Sequence, residues 1–192
     1  MTGSAGLRIL RAADRAAGEW KNGGGATREI AVFPEGAGMD DFHWRASLAE
    51  VAADGPFSAF PGIDRTLTLA EGAGMDLTVG GVRRLVDERF APQDFAGDEP
   101  TGCRLLSGPV VNFNVMYRRG AAEVETAVVR GRITLAAEPR ETLLVVALGS
   151  PAELDAAPGP AVALGPYDAV LATGPFTGRV RTSGHAAVAR FR

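Results

Sequence analysis

The sequence predicts an all-β protein, a barrel or sandwich built from many short strands with little helix. Three observations carry that expectation. The 192-residue chain holds 25 glycines and 12 prolines, and Gly-Pro pairs recur at 55–56, 108–109, 159–160, 165–166 and 174–175. Such pairs suit turns, because glycine reaches backbone angles closed to other residues and proline fixes its own. Between the turns lie short runs, alternating or continuously apolar, of the length and period of strands. Helical signals are weak, and the punctuation is too dense for long helices.

In chain order, RAADRAAG (11–18) is expected to form two helical turns ending at Gly18. Strands follow at TREIAVF (27–33), WRASLAEV (44–51), TLTLA (66–70) and MDLTV (75–79). A proline inside DERFAPQDFAG (87–97) prevents a long helix there. Further strands are VVNFNVMYRR (110–119), ETAVVRGRITLA (125–136), TLLVVALG (142–149), AVLATG (169–174) and RVRTS (179–183). The low-complexity stretch GSPAELDAAPGPAVALG (149–165) reads as a surface loop between two late strands rather than a linker between domains.

Composition narrows the function. Hydrophobic residues make up 46% and charged residues 22%, ordinary values for a globular chain. The net charge is −3 with basic residues scattered, which argues against a nucleic-acid footprint and for a small ligand or a protein partner. No apolar run reaches the length of a signal peptide or a membrane span, so no membrane role is expected. A lone cysteine, Cys103, fits a reducing cytoplasm.

The stretch EWKNGGGATREI (19–30) places three consecutive glycines ahead of a strand. A phosphate loop would carry its lysine after the glycines and open a helix, whereas Lys21 precedes them. A dinucleotide fingerprint lacks its strand-turn-helix frame as well. The glycines therefore form either a tight loop or a backbone that approaches a ligand closely. Strand parity sorts their neighbours: Arg28, Ile30 and Val32 share one face, opposite Thr27, Glu29 and Ala31. Arg45, Ser47 and Ala49 share a face, as do Asn112, Asn114 and Met116. Asp64 and Arg65 are adjacent and point to opposite sides, in a segment where Phe57, Phe60, Pro56 and Pro61 form a rigid pocket wall or a buried aromatic corner.

Catalytic constellations are sparse. The only histidines, His43 and His185, have no companion at metal-ligand spacing. Cys103 in TGCRLL has no adjacent base, and no G-x-S-x-G elbow occurs.

The order and spacing of WKNGGGATREI (20–30), WRASLAEVAADGPFSAFPGIDRTLTLAEGAG (44–74), FAGD (95–98) and LLSGPVVNFNVMYRR (105–119) resemble the HutD/Ves family. The resemblance implies a cupin-like β-barrel or sandwich with two cupin-like halves in one 1–192 domain, about 1–119 and 120–192. It also implies a cytoplasmic bacterial protein, linked in one branch to histidine utilisation and in the other to stress response. In the histidine branch the implied role is to hold a pathway intermediate and restrain pathway expression. Metal-dependent cupins carry paired histidines where this chain has FPGIDRTLTLAEGAG (60–74), so no metal and no other cofactor is expected.

On this basis the expected pocket uses Asn22, Thr27, Arg28, Arg45, Ser47, Asp64, Arg65, Asn112 and Asn114, with at least one of Thr27 and Arg28 turned away. An inward arginine would bind a carboxylate bidentately. The expected partner is a small carboxylate such as urocanate, formiminoglutamate or formylglutamate, with neither nucleic acid nor membrane, and exposed barrel edges make a homodimer plausible. The alternatives are a metal-free isomerase or hydrolase with Glu29 or Asp64 as general base, and a stress-response protein without a ligand.

Overall fold

A computed structural model of the chain describes residues 6–20, 23–156 and 159–192. The strands among them are β1 (Gly6–Leu10), β2 (Gly18–Glu19), β3 (Gly25–Phe33), β4 (Trp44–Val51), β5 (Gly55–Pro56), β6 (Ile63–Glu71), β7 (Met75–Val79) and β8 (Val82–Val86). They continue with β9 (Pro92–Ala96), β10 (Thr101–Leu105), β11 (Val110–Arg118), β12 (Val124–Ala137) and β13 (Thr142–Leu148). The last four are β14 (Ala152–Ala156), β15 (Val162–Leu164), β16 (Ala169–Thr173) and β17 (Phe176–Phe191).

The chain divides into two compact units, Arg15–Ala122 and the described part of Met1–Asp14 joined to Glu123–Arg192. In Arg15–Ala122 a six-stranded sheet runs in the order β2-β3-β4-β11-β6-β9, and a four-stranded sheet in the order β5-β10-β7-β8. One apolar cluster joins the two, because Leu67, Leu69 and Val110 from the larger sheet pack with Met75, Leu77, Val79 and Cys103 from the smaller. The Cys103 thiol lies 3.7 Å from the Met75 sulfur, and burial pushes its pKa up to about 11.

The other unit is a seven-stranded sheet, ordered β1-β16-β13-β17-β14-β15 with β12 also on β17. Its core includes Leu143, Val145, Leu154, Val170, Val180 and Val188. Glu141 ties its strand ends together, accepting hydrogen bonds from Arg190, Arg192 and the Glu138 backbone N–H, which hold its carboxyl down at about 2.

The all-β expectation holds, and three local readings change. The 11–18 segment contains only a 3-10 turn at Ala12–Asp14, and Gly18 opens β2 instead of closing a helix. The stretch 149–165 contains the paired strands β14 and β15, whose Leu154 and Leu164 are buried in the core. In β3 a bulge between Glu29 and Ala31 resets the alternation, so Val32 pairs with Arg45 and joins the face of Thr27 and Glu29. A bulge is invisible to a strict period of two.

Candidate ligand-binding cavity

The six-stranded sheet presents polar side chains on one face in register. Arg65, Met116, Arg45 and Val32 lie side by side across β6, β11, β4 and β3. The next row is Leu67, Asn114, Ser47 and Glu29, and the row after it contains Asn112, Ala49 and Thr27. Directly paired residues share a face, so these rows form a single floor. Over it lies a cavity of about 600 Å³ whose walls include Trp20, Met39, Phe57 and Phe60.

Arg65 is the dominant charge of the floor. It is 8% exposed, and its guanidinium lies 5.0 Å from the Phe95 ring centroid, 5.3 Å from Phe57 and 5.6 Å from Phe60. Ring faces attract cations, and they position the guanidinium without satisfying its N–H groups. No described carboxylate lies at ion-pair distance, and Nε is buried without a hydrogen-bond partner. Burial lowers the arginine's pKa to about 10, which leaves it cationic at neutral pH. Arg45, by contrast, donates from Nε to Glu29 Oε2 at 2.7 Å.

Along β11, Asn112 and Asn114 are 1% and 5% exposed. Asn112 leaves both Nδ2 and Oδ1 without a protein partner, and Asn114 leaves Oδ1. Buried amides of this kind call for a donor and an acceptor from whatever occupies the cavity.

The glycine run shapes the opposite wall. Gly23 adopts a φ of 69°, and its N–H bonds to the Trp20 carbonyl at 2.9 Å. The Gly24 carbonyl accepts from the Ala52 N–H at 2.8 Å, anchoring the loop beyond β4. A Cβ on Gly25 would collide with the Glu50 carbonyl. This packing holds Trp20 over the cavity, where its Nε1–H donates to Thr27 Oγ1 at 2.8 Å. Of the three glycines, Gly25 is thus required by close approach and Gly23 by its left-handed backbone.

Of the nine residues expected from sequence, Thr27, Arg45, Ser47, Arg65, Asn112 and Asn114 line the cavity. Arg28 lies outside its lining and approaches Glu50 to 3.8 Å. Asp64 accepts from Arg119 Nε at 2.9 Å and is not among the lining residues either. Asn22 falls outside the described residues. The sequence reading did not single out Glu19, Trp20, Met39 or Met116 as site residues. Met116 was within reach of parity, since it alternates with Asn112 and Asn114, whereas nothing local marks Met39.

A zinc ion or another metal held by imidazole or thiolate does not fit this donor set. The polar lining consists of Asn, Ser, Thr and Arg with Glu19, and it contains no histidine or cysteine. Among the described residues no three His, Cys, Asp or Glu side chains converge to hold an ion.

The HutD family model matches residues 12–189, and the chain belongs to that family. An uncharacterized 21.2 kDa protein in the hutC 3' region of Pseudomonas putida is 35% identical over 170 residues, covering 88% of this chain and 87% of that one. Protein Ves of Cronobacter sakazakii is 39% identical over 110 residues, 57% of this chain and 59% of its own. The structure of HutD from Pseudomonas fluorescens SBW25 in a formate condition has a TM-score of 0.85 at 31% identity, with 97% and 98% of the two chains covered. Solved structures at 9 and 10% identity, with TM-scores of 0.74 and 0.64, share the cupin-like fold, and that likeness is one of fold alone.

Proposed function

We propose that this HutD-family protein binds a small carboxylate in the cavity of Arg15–Ala122, without a metal ion, and that occupancy of the cavity serves regulation of histidine utilisation instead of turnover. Arg65 carries the reading. A buried cation with no carboxylate partner among the described residues is costly unless something else supplies the anion, and a planar guanidinium takes a carboxylate through two parallel hydrogen bonds. The related Pseudomonas fluorescens HutD was solved in a formate condition, and formate is the smallest carboxylate. The Pseudomonas putida relative, named for its position in the hutC 3' region, supports the pathway assignment.

Little favours the enzymatic alternative. Asp64 is bonded to Arg119 outside the cavity lining, and Glu29 is engaged by Arg45, so neither is poised as a free base.

The test is a thermal-shift screen against urocanate, formiminoglutamate, formylglutamate and formate, with and without a chelator. A ligand at 100 times its Kd adds about 2.7 kcal/mol, which raises Tm by roughly 5–10 °C for a chain of this size. A rise that survives the chelator and is absent in Arg65→Ala supports the proposal. A flat screen, or steady consumption of one of these compounds, overturns it.

A further inference from the structure

We infer that the cavity accepts one negative charge and discriminates against two, and that Glu29 is the residue that sets this limit. The inference rests on the carboxylate reading above and narrows it to a ligand class. Among the described residues two cations line the cavity, Arg45 and Arg65, and of these Arg65 lacks an anionic partner. Glu29 lies on β3 immediately before the bulge, and its Oε2 takes the Arg45 Nε–H at 2.7 Å. Arg45 is therefore neutralised before any ligand arrives, and Glu19 adds a carboxylate to the lining.

The remainder of the floor is neutral and bifunctional. Met116 lies between the two arginines, and Asn114 and Asn112 follow it on the same face of β11, roughly 7 and 14 Å along the strand. The partnerless Oδ1 atoms of both asparagines want donors, and Asn112 Nδ2 wants an acceptor. A second carboxylate placed there only accepts and finds no free cation among the described residues, so it would be desolvated without a counter-charge. An amide, an imidazole or a similar planar N–H group satisfies both needs. The favoured ligand is thus a monocarboxylate whose far end is neutral and both donates and accepts hydrogen bonds. Glu29 is a positioning residue here, acting through Arg45.

Glutaramate and glutarate separate the possibilities, because they share one five-carbon chain and differ only in an amide against a second carboxylate. Isothermal titration of the intact chain should show glutaramate binding at least about 10-fold more tightly than glutarate, the size of one hydrogen bond to a charged group. Glu29→Gln should strengthen glutarate about 10-fold by releasing Arg45, and change glutaramate less than about 3-fold. The ratio of the two affinities is the readout, since a merely loosened fold would move both together. Equal or tighter glutarate binding by the unaltered chain, or parallel changes in Glu29→Gln, overturns the charge limit. If acetate still binds through Arg65 in that case, the carboxylate reading stands. Failure of glutaramate, glutarate and acetate alike overturns both.

Discussion

Replacing Arg65 by methionine separates a ligand-binding cation from a structural one, because the first role predicts little change in the stability of the unliganded protein and the second a clear loss. Bringing the Arg65 pKa down to about 10 corresponds to on the order of 3 kcal/mol of desolvation, at about 1.36 kcal/mol per pKa unit. A ring returns about 0.5–1 kcal/mol to an exposed cation and about 2 kcal/mol to a desolvated one, so the three phenyl rings offset most or all of that cost. Methionine is shorter but of comparable volume, carries no charge, and keeps part of the ring attraction through its sulfur. The unliganded Arg65→Met protein should therefore stay within about 1 kcal/mol of the parent, a Tm change of no more than roughly 2–4 °C. Carboxylate binding should fall by at least about 1.5–3 kcal/mol, some 10- to 150-fold. Differential scanning calorimetry without ligand and titration calorimetry with a carboxylate measure the two arms. A Tm loss of several degrees would mean that Arg65 holds the fold together, and unchanged binding would mean that the anion sits elsewhere; either result refutes the reasoning.

Three further outcomes follow from the geometry. Gly25→Ala forces a methyl into the Glu50 carbonyl and within 3.2 Å of the Trp20 ring, so it should cost about 1–3 kcal/mol and shift tryptophan emission, which chemical denaturation followed by fluorescence will report. Glu141 has a folded pKa near 2, below its unfolded value, so its contribution is present above the ordinary glutamate pKa and is lost as pH falls toward 2; Tm against pH should be flatter between pH 5 and 2 in Glu141→Gln. The Cys103 thiol, buried and raised to about 11, should resist iodoacetamide at pH 7 in the native protein and react once the chain is unfolded, as mass spectrometry will show.

Much of the floor of the cavity was legible because antiparallel strands obey a period of two. WRASLAEV coincides with β4, and its Arg45-Ser47-Ala49 face is the face that meets the cavity. The same rule placed Asn112, Asn114 and Met116 together and set Asp64 against Arg65. What parity cannot supply is which of two polar faces is enclosed. Arg28 and Thr27 were equally eligible until the pairing with β4 put Thr27 beside Ala49. The walls were harder still. Trp20 reaches the cavity because a glycine turn folds it back onto Thr27, and Met39 arrives from the connection between β3 and β4. The short strands β1, β2, β5, β8, β9, β10, β14 and β15 escaped the sequence reading for a related reason. VRRLV, the sequence of β8, breaks the period of two with adjacent arginines, and AELDA, that of β14, is embedded in a stretch rich in Ala, Gly and Pro, so neighbouring strands define them more than their own composition does.

The polar floor is better explained by a ligand than by the fold. Asn112 contributes two buried atoms without protein partners, Asn114 one and Arg65 one. Each such group costs about 1–3 kcal/mol when left unsatisfied, against a total stability of roughly 5–15 kcal/mol for a whole domain. Leucine or methionine at these positions would extend the apolar packing that Leu67 and Met116 already provide in the same rows. Stability alone therefore argues against placing two amides and a guanidinium there. They sit at fixed positions on two hydrogen-bonded strands, and Phe57, Phe60 and Phe95 surround the guanidinium. That rigidity is of little use to a surface but lowers the ordering cost of binding. A small anion with a neutral hydrogen-bonding end would pair with Arg65 at one end and offer the other to the amides of β11.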